Sequence, residues 1–313
     1  MKTTTATSRA DRASRGHHVV VAPDAPASLE RIVHSLLASD EPFRDLEPLA
    51  SPGLNSRVAK LALETAAGTR SFAVKLYAWS PLTSLRTFAR ATRARTEFET
   101  LEVLASFAPA PVRAAAWGER RALGFASRSV LVTEFLPDAV SLKSWRLAFA
   151  RGERPAEERE RLVAALPELV RFMRCLHDSG FFARNAFQKN VLWRPSAPAA
   201  EAFSLVDLPF ARLGRGPLSL RRRIYDLACL DKDASMVLSS SERLRLYLAY
   251  VGRGESESGD RSVLRRIARE RSRRAHATFF SGIERGLKKH LKRTRVGKLL
   301  TGRDPEQRSR NER

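Results

Sequence analysis

The sequence predicts an α+β fold of two lobes, a small β-rich N-terminal lobe followed by a larger helical C-terminal lobe. Three observations carry this. Residues 56–63 and 71–77 read as strands around a polar, glycine-containing turn, the pattern of a hairpin. Residues 162–177 repeat their apolar positions at helical spacing, with Leu162, Leu166, Leu169, Val170, Met173 and Leu176 on one face. Beyond them the patterns stay helical, over 241–251 and 263–291. The expected divisions are a disordered leader over 1–24, an N-lobe over 25–136, a C-lobe over 137–290 and a basic tail over 291–313.

The leader is rich in Thr, Ser, Arg and Ala and lacks periodicity, and His17 and His18 in it read as solvated. A helix follows over 28–37, with Ser28 as its expected N-cap. The second strand of the hairpin, Phe72-Ala-Val-Lys75-Leu-Tyr77, carries a lysine in an apolar run. An edge strand with its lysine in water is one reading; a lysine that meets nucleotide phosphates is the other. A long helix is expected over 85–107. Glu97 shares a face of it with Leu101 and Leu104, which favours Glu97 over Glu99 as a partner for Lys75; an i,i+4 pair of Glu97 with Arg93 is the plainer alternative. Strands follow over 114–118 and 129–135, the second running into Glu134-Phe-Leu136-Pro137. A short helix is expected over 142–150. The helix over 162–177 contains Pro167, which kinks it or marks its start. His177 near its end suits the helix dipole.

The helix delivers Leu176 to Asn190, LHDSGFFARNAFQKN, a turn at Gly180 and then a loop with Arg184, Asn185, Lys189 and Asn190. Further on, the apolar strand Phe203-Ser-Leu-Val-Asp207 ends in an acid. An asparagine and an aspartate on neighbouring loops can hold magnesium over the phosphates of a nucleotide. Asp226 opens a later apolar helix behind the basic run 212–223, where it complements the helix N-terminus.

Net charge is +22, which points to a polyanionic partner. Residues 261–313 hold 18 Lys/Arg against 5 Asp/Glu, a density suited to lipid phosphates. The two cysteines, Cys175 and Cys229, read as buried small hydrophobes rather than a disulfide or zinc site. No secretory signal or membrane-spanning run is read, so the expected location is cytoplasmic, with contact at the inner face of the membrane.

Lys75, Glu97, LHDSGFFARN, Asn190, FSLVDLP and RRRIYDLACL stand in an order and spacing that resembles the lipopolysaccharide kinase family, the Kdo/WaaP type, bacterial relatives of protein kinases. The resemblance covers about residues 45–250. It implies a protein-kinase-like fold, ATP and Mg2+ as cofactors, and phosphoryl transfer to a sugar hydroxyl of the lipopolysaccharide inner core, an anionic glycolipid. It implies that Lys75 binds phosphate with Glu97 holding it, that Asn190 and Asp207 bind metal, that backbone at Glu134 and Leu136 meets adenine, and that Asp226 and Arg184 support the catalytic loop.

Three departures stand out. Ala183 occupies the place of the family's usual histidine, and Asn185 the place of its catalytic base. No G-x-G-x-x-G precedes the hairpin, which leaves Gly53 as the candidate for a phosphate-covering turn. An asparagine orients a hydroxyl but does not take its proton, so a slow kinase and a nucleotide-binding pseudokinase are both consistent. Whether Asp178 or Asp231 substitutes as base is open. A basic nucleic-acid-binding protein is a further alternative; the absence of a zinc finger or RNA-recognition motif argues against it.

Overall fold

The computed structural model describes residues 16–49, 56–66, 68–80, 84–107 and 112–274. Gly53 and the residues after 274, with the whole of the expected basic tail, lie outside the described residues. The chain divides into two compact units, 1–257 and 258–313. The first unit takes in the expected N-lobe and the expected C-lobe up to Glu257. Within the second, residues 260–274 are helical.

Six strands form one antiparallel sheet: β1 (His17–Val21), β2 (Glu47–Pro48), β3 (Ser56–Thr65), β4 (Gly68–Ala78), β5 (Ala114–Ala122) and β6 (Phe125–Glu134), in the order β1-β5-β6-β4-β3-β2. β1 corrects the expected leader. Its residues 17–21 pair with β5, from His17 opposite Arg120 to Val21 opposite Ala116. Five residues are too short for a periodicity signal; the edge of β5 supplies the backbone partners that order them. His17 is half-buried and stacks on His34, so it is not simply solvated, while His18 stays exposed as expected and packs edge-on against Trp117.

Two helices cover the two faces of this sheet. α1 (Ser28–Ala38) packs Leu29, Val33 and Leu37 against Phe72, Val74 and Val132. Ser28 is not its cap. Leu29 N–H already bonds the Pro26 carbonyl at 3.0 Å, Ala27 has helical φ and ψ, and no side-chain cap is made. α2 (Arg93–Ala105) sets Phe98, Leu101 and Leu104 against the opposite face, beside Tyr77, Trp117 and Leu131. The expected single helix over 85–107 is interrupted: Leu85–Thr87 is one 3₁₀ turn, Ala89 has φ +50°, and Thr92 caps α2 by accepting from Arg95 N–H. Because strand side chains alternate, Phe72, Val74 and Leu76 face α1, while Lys75 and Tyr77 face α2. The edge-strand reading of Lys75 fails, since β4 is hydrogen-bonded to β3 on one side and β6 on the other.

The rest of the unit is mainly helical. It comprises α3 (Leu142–Ala150), α4 (Ala156–Asp178), α5 (Leu220–Asp231) and α6 (Ser240–Val251). Short ladders join its loops: β7 (Val140–Ser141), β9 (Val191–Trp193) and β10 (Phe203–Leu205) form one, and β8 (Phe181–Phe182) with β11 (Arg212–Leu213) another. α4 runs through Pro167 unbroken. Its buried face of Leu162, Leu166, Leu169, Met173 and Leu176 outweighs the one lost backbone bond. Cys175 corrects the expected burial: it lies about 200° around the helix from Met173 and is exposed, whereas Cys229 is buried.

α6 starts on a capping box, in which the Ser239 hydroxyl accepts from Glu242 N–H at 3.2 Å and Glu242 accepts from Ser239 N–H at 2.7 Å. Ser239→Ala is expected to cost about 1 kcal/mol in chemical denaturation. The Ser239 N–H holds the Glu242 carboxyl below its usual range, with Arg159 at 2.9 Å helping. That contribution is present above the ordinary carboxylate range and disappears as pH falls through the lowered value. Glu242→Gln should therefore flatten the acid limb of the stability curve.

Candidate active site

Three chain segments converge on the α2 side of the sheet. β4 brings Lys75 and Tyr77, α2 brings Glu97, and the turn after β10 brings Asp207. Lys75 Nζ donates to Glu97 Oε1 at 3.3 Å and Oε2 at 3.1 Å, and to Asp207 Oδ1. The Tyr77 hydroxyl donates to Glu97 Oε2 at 2.7 Å. Glu97 is only 3% exposed. Burial pushes its carboxyl above the ordinary range, Lys75 pulls the other way, and the Asp207 charge adds to the push. Burial, followed by the Glu97 charge, raises Tyr77 so that its hydroxyl stays a donor. One lysine thus bridges two carboxylates in a poorly solvated place, an arrangement that fixes the position of its ammonium group.

The choice of Glu97 over Glu99 is the one the geometry makes. Glu99 pairs with Arg95 at 2.8 Å on the exposed face of α2. The alternative partner of Glu97, Arg93, instead places its guanidinium over the Phe210 ring, 5.7 Å from the centroid.

The second half of the site is a short antiparallel ladder. Leu205 in β10 pairs with Val191 in β9, so Asn190, just before β9, and Asp207, just after β10, emerge at the same end. Val206 N–H bonds the Asn190 carbonyl at 2.9 Å, just past the end of β10 at Leu205, two residues short of Asp207. Asp207 then turns with φ +56°, a left-handed conformation that aspartate tolerates better than most residues. Asn185 Nδ2 donates to the Asp207 carbonyl at 2.8 Å, and Asn190 Nδ2 donates to the Asn185 carbonyl at 2.8 Å. The three residues form one relay of amide bonds.

Asp226 holds that relay from behind. Its carboxylate is fully buried and accepts from Ala183 N–H at 3.0 Å and Arg184 N–H at 2.9 Å. Arg184 has φ +57°, a conformation this contact stabilises. His177 Nε2 lies 3.4 Å from Asp226, and its Nδ1 lies 2.8 Å from the Tyr250 hydroxyl on α6. By spacing alone His177 has only a helix-dipole role; the structure buries it fully between the loop anchor and α6. Gly180, with φ +85°, lets the chain leave α4 tightly, since a Cβ there would lie 2.5 Å from the Gly216 carbonyl.

Glu134 and Leu136 sit at the end of β6, away from these contacts. The Glu134 carboxylate pairs with Arg70 at 2.8 Å, its N–H bonds the Arg113 carbonyl, and the Leu136 carbonyl accepts from Ala139 N–H. Asp178 and Asp231 are taken up by arginines: Asp178 by Arg223 at 2.7 Å, Asp231 by Arg243 at 2.9 Å. Tyr77 is the site residue that sequence reasoning missed. Its signal was available, because it lies two positions after Lys75 on the same strand face.

Among curated proteins, none matches this chain. A solved structure described as WaaP in complex with acyl carrier protein is similar over 82% of this chain and 98% of its own, at 20% identity and a TM-score of 0.51, which shows a shared fold. The lipopolysaccharide kinase (Kdo/WaaP) family matches residues 68–250. That span takes in more than half the chain and all of Lys75, Glu97, Asn185, Asn190, Asp207 and Asp226, and the chain belongs to this family of kinases, phosphotransferases with sugar-hydroxyl acceptors.

Proposed function

We propose that this protein transfers the γ-phosphate of ATP, with Mg2+, to a sugar hydroxyl of a lipopolysaccharide inner core, at the cytoplasmic face of the inner membrane. The observation that carries the reading is Lys75 held between buried Glu97 and the Asp207 turn. The donor set fits magnesium: Asp207 offers a carboxylate and Asn190 an amide oxygen, hard ligands whose remaining partners would be phosphates and water. When bound, magnesium supplies neutralisation of the phosphate charge.

In this reading the N-lobe binds nucleotide and the helical C-lobe carries the loops that act on it. Lys75 binds the nonreacting phosphates and Glu97 fixes its position. Backbone at Glu134 and Leu136 meets adenine. Asn185 orients the acceptor hydroxyl through its side-chain oxygen, while its amide hydrogens hold the Asp207 turn. Arg184 and Asp226 keep that loop in shape. Phosphoryl transfer depends mainly on positioning and charge, so the absence of a carboxylate base slows the reaction by roughly 10²–10⁴-fold without removing its basis. The basic tail adds attraction to anionic lipid, and no described helix is long and apolar enough to cross a membrane.

A second reading rests on Asn185 itself. With its amide committed to the Asp207 carbonyl, the loop would be a nucleotide-binding scaffold that does not transfer phosphate. The deciding experiment follows labelled γ-phosphate from Mg-ATP into lipopolysaccharide precursors, with Asp207→Ala beside the wild type. Label in the lipid fraction, lost by about 10³-fold or more in Asp207→Ala, supports the kinase. Stabilisation by Mg-ATP without transfer to any acceptor supports the scaffold. Neither transfer nor stabilisation would remove both readings.

A further inference from the structure

The tip of the β5–β6 hairpin is built against local preference. Ala122 pairs with Phe125, which leaves a two-residue turn of Leu123 and Gly124. Both have positive φ, +48° and +80°, as a type I′ turn requires. Asparagine or aspartate is favoured at the first of these positions, and a leucine there is strained. Leu123 is also 91% exposed, so packing within the chain does not explain it. Strain combined with exposure of a large apolar side chain is a mark of a binding surface.

Its surroundings are ordered to support it. The segment Leu85–Arg90 lies against the tip. Phe88 packs on Phe125 with ring centroids 4.9 Å apart, and a Cβ on Gly124 would meet the Phe88 ring at 2.9 Å. Arg121 clamps the two segments, donating to the Gly124 carbonyl at 2.8 Å and the Thr87 carbonyl at 3.3 Å. Leu85 is 60% and Phe88 55% exposed. Arg86 and Arg90 are exposed within the same segment, and the nearby acid, Glu119, is buried and paired with Arg121. The result is an exposed apolar tip with two exposed arginines on its Leu85–Arg90 side. Three residues after Arg90, Arg93 stacks on Phe210, itself three residues past Asp207, so this surface is joined by short chain to the candidate site.

We propose that Leu123, Phe88 and Leu85, with Arg86 and Arg90, form a docking surface for an anionic lipid bilayer. An exposed tip inserts among headgroups without a matching groove, and the flanking guanidiniums meet lipid phosphates. The surface contains none of the basic-tail residues and operates without nucleotide, so it stands or falls separately from the proposed reaction.

The test is partition of the full chain onto vesicles of phosphatidylethanolamine and phosphatidylglycerol, beside vesicles of phosphatidylcholine alone. Leu123→Asn suits the turn better than leucine, so its melting temperature should be unchanged or higher. Its partition onto the anionic vesicles should fall about tenfold. Arg86→Gln with Arg90→Gln should weaken binding by about fivefold for each charge, and mainly at low salt. Asp207→Ala should partition like the wild type, whatever it does to phosphoryl transfer. Wild-type partition by Leu123→Asn would overturn the proposal, and is the result expected if the tip seats an acidic protein instead. Equal binding to phosphatidylcholine vesicles would overturn the anionic part.

Discussion

Lys75→Met is expected to destabilise the fold by about 3–5 kcal/mol near neutral pH and to reduce phosphoryl transfer by at least roughly 10²-fold. The stability loss follows from what the substitution leaves behind. Lys75 is the cation shared by Glu97 and Asp207, and the Glu97 side chain is 4% exposed. Methionine fills much of the volume, so the loss is electrostatic rather than a cavity. The variant must then either keep a buried carboxylate beside a second negative charge or protonate it. Burial and Asp207 both already push Glu97 towards the protonated form. Without Lys75 the folded-state pKa rises further above the unfolded value. A carboxyl raised in this way stabilises the fold fully below its unfolded pKa and loses that contribution as pH rises through the folded one. The deficit of Lys75→Met should therefore shrink as pH is lowered towards the ordinary carboxylate range. Denaturant titrations of both proteins across pH check this, and a deficit that is flat with pH would contradict it.

Asp226→Ala is expected to cost a similar amount, about 3–5 kcal/mol, for a different reason. The carboxylate is fully buried and accepts two backbone N–H groups, from Ala183 and Arg184. Alanine leaves both donors buried without their partner and releases Arg184 from its left-handed conformation. The Asn185 relay to Asp207 begins one residue later, so the change should also reach the site. Asp226→Asn keeps one acceptor oxygen in place and should recover part of the loss, with a residual cost of about 1–3 kcal/mol. Equilibrium unfolding ranks the three proteins. Equal stability of Asp226→Ala and wild type would show that the loop finds other partners.

Where the sequence was legible, the signal was local and periodic. The hairpin around Lys75, the apolar face of α4 and the acid at the end of β10 all declare themselves by spacing. Glu97 could be preferred over Glu99 because a helix carries positions three and four apart on one face, and Leu101 and Leu104 marked the buried one. What was misread depended on partners distant in the chain. β1 is a strand because β5 offers it an edge. The 85–107 region is broken because Thr87 and Arg121 tie its first turn to the β5–β6 hairpin. Ser28 loses its capping role because it is already the first residue of the helix, with Ala27 at the cap position and Pro26 accepting from Leu29 N–H.

The same division runs through the site. The sequence by itself determined which chemical groups are available: a strand lysine, a helix glutamate, two loop asparagines, and an aspartate after a short strand. It also determined the departure at Asn185. Only the tertiary structure decided that Lys75 bridges two carboxylates, that Tyr77 donates to one of them, and that His177 lies buried between Asp226 and Tyr250. Each of these joins residues from separate elements, as in Lys75 and Asp207 from β4 and the β10 turn. Periodicity reports which face of an element is buried; it carries no information about which polar groups meet there once the faces close.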